Sequence, residues 1–158
     1  MIFVDTSAWF AVFSRRDVNH IAAMSAIRST QEQFVTTDFV VDETLTLLRA
    51  RDENRRALAF GHRVIEGQWA QIDRIDAADF SAAWTMFKKF SDKEWSFTDC
   101  TCRVVMERVG IRRAFAFDDH FRQFGTVAVV PWAKSVPGTF GRLNREAAPK
   151  FSVRGRSS

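Results

Sequence analysis

Met1-Ile2-Phe3-Val4-Asp5-Thr6-Ser7 sets three apolar residues in a row and follows them at once with a carboxylate and two hydroxyls. An apolar run with no polar alternation fits a strand buried on both faces of a parallel sheet, not one with a wet side. In open α/β sheets the binding crevice lies outside the carboxyl ends of the strands. Asp5 therefore falls at the floor of such a crevice, where an ionised carboxylate needs a cation, a hydrogen-bond partner or a proton. The same residue is also placed to cap a helix beginning near Ser7. What weighs between the two is whether later segments bring more carboxylates to this edge.

They do. Gln33–Thr36 reads as a second strand, and Thr37 or Asp38 caps a helix from Phe39 to about Arg51. At roughly 100° per residue, Val40, Val41, Thr44, Leu47 and Leu48 share one face of it. Glu43 lies on the margin of that face, looking towards the crevice, and Asp42 points the opposite way. Trp69–Ile75 is a third strand. Ser96 or Thr98 caps a helix Asp99–Val109 that Gly110 closes, with Asp99 heading the stripe Cys102, Val105, Met106 and Val109. Arg113–Phe117 is a fourth strand ending in Asp118-Asp119, which repeats the apolar-strand-then-acid pattern of the first. Thr126–Val130 makes a fifth.

The remaining segments read as structure. Ser7–Ser14 is a short helix carrying Trp9, Phe10 and Phe13. Asn19 caps a helix to about Ser29 with Ile21, Met24 and Ile27 inward, and His20 in its first turn serves packing. Asn54 starts a helix to roughly Gln68 with Leu58, Phe60, Val64 and Ile65 inward. Asp76 caps another, with Asp79 completing a capping box, and its Phe80, Trp84, Phe87 and Phe90 recur at core spacing.

Composition bounds the class. A chain of 158 residues holds one ordinary domain, and 46% hydrophobic with 27% charged residues describes a soluble globular protein. No apolar run is long enough to span a bilayer, and Met1 leads directly into a strand rather than a basic-then-apolar leader, so the expected compartment is the cytoplasm. Cys100 and Cys102, two apart on a helix, diverge and are expected as free thiols. Residues 133–158 carry six Lys or Arg and one Glu, whereas residues 1–132 carry 17 cations and 18 anions. The basic excess thus belongs to a polar tail, expected to be flexible, and the folded domain is placed at 1–132. There is no phosphate-loop motif and no His or Cys pattern for zinc.

The stretches IFVDTSAW at 2–9, FVVDETLTLL at 39–48, SFTDC at 96–100 and FAFDDHF at 115–121 together resemble the PIN-domain family, specifically the VapC-type toxin ribonucleases. The resemblance covers about residues 1–132. It implies a doubly wound parallel α/β sheet of about five strands, with helices on both faces and an acidic cluster at the carboxyl edge. It implies a Mg²⁺- or Mn²⁺-dependent endoribonuclease, a small antitoxin of the VapB type as partner, and a homodimer. Carried over position by position, the catalytic and metal-site acids are Asp5, Glu43, Asp99 and Asp118, with Thr6, Ser7 and Thr98 as supporting hydroxyls. Asp118 is favoured over Asp119 because Asp118 and Phe121 match a D-x-x-F spacing. One departure is Ala116, where the family often has Thr or Ser.

The physical reading agrees. Four converging carboxylates repel unless protonated or bridged by cations, and an all-oxygen donor set with no His or Cys selects Mg²⁺ or Mn²⁺ over zinc. Such an ion stabilises charge on a phosphodiester and activates water for in-line attack. Asp5 and Asp99 are the expected primary ligands, with Glu43 and Asp118 positioning the ion or the attacking water. RNA approaching an acidic floor needs cations at the rim, for which Arg15, Arg16, Arg49, Arg51 and Arg122 are candidates. Two other functions fit parts of the pattern. One is a PIN-like binding module that no longer catalyses. The other is an aspartyl-phosphate phosphotransfer domain, for which Ser7 stands where a second acid is usual.

Overall fold

Strand β1 (Ile2–Val4) is the middle of five parallel strands because it is apolar on both faces and is paired on both edges. The order is β3–β2–β1–β4–β5, with β2 at Phe34–Thr37, β3 at Gln71–Asp73, β4 at Arg113–Phe115 and β5 at Ala128–Val130. This computed structural model describes residues 1–67, 69–125 and 127–130. Phe3 pairs with Val35 on one side and Ala114 on the other. The helices are α1 (Thr6–Phe13), α2 (His20–Ser29), α3 (Asp38–Ala50), α4 (Asn54–Phe60), α5 (Ala77–Lys89), α6 (Phe97–Val109) and α7 (His120–Gln123). The expected doubly wound parallel sheet is the observed architecture.

Alternation along β1 assigns the layers. Phe3 points to one face, where its ring stacks on Phe121 of α7 at 6.1 Å. Ile2 and Val4 share the other face with Phe34, the register partner of Ile2, and with Thr36, whose hydroxyl donates to the Val4 carbonyl at 2.9 Å. There the Trp9 ring of α1 meets Phe34 at 6.4 Å, and its indole N–H donates to Thr36 Oγ1 at 3.2 Å. Trp9, Phe3, Phe60 and Phe121 are the largest wholly buried side chains. They place the core on both sides of β1. Chain progress reverses at β1, with β2 and β3 laid down on one side and β4 and β5 on the other. That switch point is where open α/β sheets hold their ligands.

Three inward faces differ from expectation. Ile21 is 83% exposed and Ala23 is the buried residue of α2. The small side chain lets α2 sit close to α1, and Ile21 lies two residues, about 200° of turn, away. In the next helix Ala57, Phe60 and Val64 face inward, while Leu58 and Ile65 are exposed. The helix widens into a π-helical turn at Gly61–Glu66, which changes the phase after Phe60.

The largest difference is α5. Its contact with α6 runs through Ala83 and the buried Asp79, whose two oxygens each accept from Arg108 at 3.0 Å. Phe80 and Trp84 are half exposed and Phe87 is 39% exposed. The period-3.6 aromatic stripe therefore belongs to a surface, in contact with Phe39 and Phe97. The capping box of Asp76 with Asp79 forms as expected, and Gly110 closes α6 in the left-handed conformation at φ 76°. Cys100 and Cys102 are free and buried. The tail 133–158, the residue Gln68 and the start of the fifth strand at Thr126 lie outside the described residues. Among the described residues no helix is long and apolar enough to cross a membrane.

Candidate active site

Asp5 combines a cap with a place at the carboxyl end of β1. Asp5 is the N-cap of α1, its Oδ2 accepting the amide of Ser7 at 3.0 Å and the Ser7 hydroxyl at 2.7 Å. The cap holds the carboxyl at the carboxyl end of β1, 2% exposed. Burial raises its pKa first, the charge of Asp99 raises it further, and the Ser7 hydrogen bonds oppose both.

Thr6, the next residue, reaches to α3. Its hydroxyl donates to Glu43 Oε2 at 2.7 Å, crossing 37 residues of sequence. Glu43 reaches this position because Thr37 caps α3 through the amide of Val40 at 3.2 Å, fixing the helix phase from its first turn. Desolvation by burial pushes the Glu43 carboxyl up to about 7, with the Thr6 hydrogen bond opposing. Asp42 is exposed, as its phase requires.

Asp99 arrives by a capping box. Ser96 Oγ accepts the Asp99 amide at 3.0 Å, and Asp99 Oδ2 accepts the Ser96 amide at 2.7 Å. Thr98 follows Phe97 in the first turn of the same helix. Asp118 comes from the turn after β4. Its pKa lies well above the usual carboxylate range, from burial first and then from the charges of Asp5 and Asp99. Ser7 joins β1 to this turn, since its hydroxyl accepts the amide of Phe117 at 2.9 Å.

Residues from β1, α3, α6 and the turn after β4 thus meet at one edge of the sheet. Asp119, the competitor of Asp118, is exposed and paired with Arg122 at 2.7 Å.

The sequence reading missed His120. It expected a donor set without His or Cys, yet His120 Nδ1 lies 2.9 Å from Asp99 Oδ2, and one donor atom from each of Asp99, Asp118 and His120 falls within 4.8 Å of the others. The Asp99 hydrogen bond draws the imidazole up to about 9, burial opposing. The signal was present in Asp118-x-His120: the Asp118 Oδ1 accepts the His120 amide at 3.2 Å, and this tight turn folds the ring back onto the acids.

The arginine candidates are dispersed. Helices α1 and α3 start at the acidic edge and run away from it, so an eight-residue α1 carries Arg15 and Arg16 about 12 Å or more down the domain. Arg49 and Arg51 end the longer α3. Arg122 lies on α7, two residues after His120, and its guanidinium pairs with Asp119 at 2.7 Å.

The donor set suits a divalent cation. Closely spaced carboxyls whose proton affinities are raised by desolvation and then by one another gain most from positive charge between them. Carboxylate oxygens are donors for hard divalent ions, and the imidazole adds a nitrogen donor that softer divalent ions accept more readily.

Residues 2–127 match the sequence profile of the PIN domain. The 23S rRNA-specific endonuclease VapC20 of Mycobacterium tuberculosis is 34% identical over 131 residues, covering 83% of this chain and 99% of that one. The VapC ribonuclease of Archaeoglobus fulgidus is 27% identical over 123 residues, 75% of this chain and 77% of its own. The crystal structure of VapC20, described as a sarcin–ricin loop cleaving toxin, superposes with a TM-score of 0.76 at 32% identity, covering 80% of this chain and 97% of that chain.

Proposed function

The chain belongs to the PIN-domain family of VapC-type toxin ribonucleases, and from that membership we propose that it is a divalent-metal-dependent endoribonuclease whose substrate is a structured loop of large ribosomal RNA. One observation carries the reading: Asp5, Glu43, Asp99 and Asp118, far apart in sequence, converge at the sheet's switch point. The substrate class rests on likeness to VapC20 over nearly all of that protein's length.

Asp99 and Asp118, with Asp5 beside them, are the groups that would hold the ion, which when bound would supply charge stabilisation at the phosphate and activation of water. Ser7 fixes the orientation of Asp5, and Ser96 that of Asp99. Thr6 holds Glu43 in place through Oε2. A carboxyl near 7 can take a proton from an attacking water at neutral pH.

The partners follow the same reading. A groove of about 870 Å³ on the α1–α2 side has an apolar floor of Val12, Phe13 and Met24 and is edged by Arg15, Arg28, Arg56 and Arg63. It suits an amphipathic acidic segment of a VapB-type antitoxin. The exposed Phe80, Trp84 and Phe87 support a homodimer through α5. Residues 1–132 are the nuclease domain and 133–158 a basic extension, and the working compartment is the cytoplasm.

The test is cleavage of 23S rRNA and of its isolated hairpin loops by purified protein with Mg²⁺, Mn²⁺ or EDTA, beside Asp5→Asn and Asp99→Asn. Metal-dependent cutting lost in both folded variants supports the reading. Cutting that survives EDTA and both substitutions overturns it.

A further inference from the structure

We infer that His120 is itself a ligand of the divalent ion, binding through Nδ1 beside Asp99 and Asp118, and that this nitrogen biases the site towards Mn²⁺ over Mg²⁺. The inference rests on the metal-dependent reading above and deepens it by fixing one ligand and the ion it favours.

The spacing is that of ligands to a common centre. Adjacent donors on an octahedral ion with bonds of about 2.1 Å stand about 3 Å apart, and opposite donors about 4.2 Å. His120 Nδ1 and Asp99 Oδ2 are 2.9 Å apart, and one donor atom from each of Asp99, Asp118 and His120 lies within 4.8 Å of the others.

The ring is built into place. Its backbone amide is held by Asp118, one of the acids it would join. The next residue, Phe121, is wholly buried and stacks on Phe3 of the central strand, anchoring α7 to the sheet. The His120 side chain is 26% exposed and the Asp99 side chain 7% exposed, so the pair lines the site rather than the outer surface. Asp99 is fixed independently by its capping box with Ser96. A ligand pair held from two separate elements is what a preorganised metal site needs.

The chemistry then separates the two ions. Mg²⁺ is small and hard, prefers oxygen and keeps most of its water, whereas imidazole suits later and softer ions. Replacing one oxygen or water by a neutral imidazole nitrogen costs Mg²⁺ more than Mn²⁺. Mn²⁺ is also a paramagnetic reporter of its own ligands.

The experiment uses the full chain, stripped of metal and titrated with Mn²⁺ alone, without RNA. Electron spin-echo envelope modulation is recorded on natural-abundance protein and on protein labelled with [¹⁵N]histidine. The expected result is a ¹⁴N modulation from a directly bound imidazole that disappears on labelling and is absent in His120→Asn. Calorimetric titration of the same variant is expected to show Mn²⁺ affinity lowered about tenfold or more, with Mg²⁺ affinity changed much less. Bound Mn²⁺ with no nitrogen coupling overturns the inference and leaves the nuclease reading standing. Failure to bind Mn²⁺ at all overturns both. If His120→Asn does not fold, the labelled and unlabelled wild-type spectra still decide.

Discussion

The hydroxyl of Ser7 accepts the backbone amide of Phe117, 110 residues further along the chain, at 2.9 Å. The same hydroxyl donates to Asp5 Oδ2 at 2.7 Å. One oxygen therefore locks the ends of β1 and β4 together and aims the carboxylate that stands between them.

Ser7→Ala is expected to cost about 1–3 kcal/mol of stability, because it leaves the Phe117 amide buried without an acceptor and Asp5 without one of its donors. RNA cleavage is expected to fall about tenfold or more, since Asp5 keeps its place at the helix cap but loses its fixed orientation. Thermal denaturation and initial cleavage rates of the variant beside wild type check this. A variant equal to wild type in both would show that neither bond matters.

Glu43 is expected to set part of the pH dependence of the metal-free protein. Its carboxyl titrates about 7 in the folded chain against an ordinary 4.5, so the folded state binds more protons than the unfolded one between those values. Stability therefore falls as pH rises from about 4.5 to about 7 and levels off above. Asp5 and Asp118, also raised by burial, act in the same direction. Glu43→Gln keeps an acceptor for Thr6 and removes the charge. It is expected to stabilise the metal-free protein at pH 8 by on the order of 1–3 kcal/mol, leave it unchanged at pH 4, and cut poorly. Denaturant unfolding at the two pH values decides, and an equal effect at both would remove Glu43 from this role.

The parts of the fold legible in the sequence are those that local chemistry dictates. Apolar runs gave the strands, and the strand-then-acid pattern gave the edge where the acids meet. Asp76 is legible as a cap, while Thr37 or Asp38 and Ser96 or Thr98 stand as pairs in the sequence, from which the fold takes Thr37 and Ser96. Periodicity failed where apolar spacing had two possible addresses. Phe80, Trp84 and Phe87 follow the helical repeat as a core stripe does, but Ala83 and the Asp79–Arg108 pair claim the buried face of α5. Nothing local states which side of a helix its neighbour will take. His120 was missed for a related reason, since its partner Asp99 is 21 residues away and only the turn after Asp118 brings them together.

The same aromatic stripe gives the last prediction. Trp84 and Phe87 stack at 5.9 Å, Phe80 and Phe97 meet at 5.0 Å, and Phe39 touches both Phe80 and Phe97. Contiguous rings left half in water are costly unless something covers them. A second copy of the chain offers a matching apolar face, as a two-fold interface requires. Because Phe80 and Trp84 add little to the monomer's core, replacing both by Glu is expected to leave the far-ultraviolet dichroism and melting temperature close to wild type. Charge repulsion across the two-fold axis is expected to leave the variant a monomer. Sedimentation at several concentrations reads this directly: a wild-type dimer and a folded monomeric variant support the α5 interface. A variant that still dimerises with wild-type affinity moves the interface elsewhere, and a wild-type monomer at every concentration removes it.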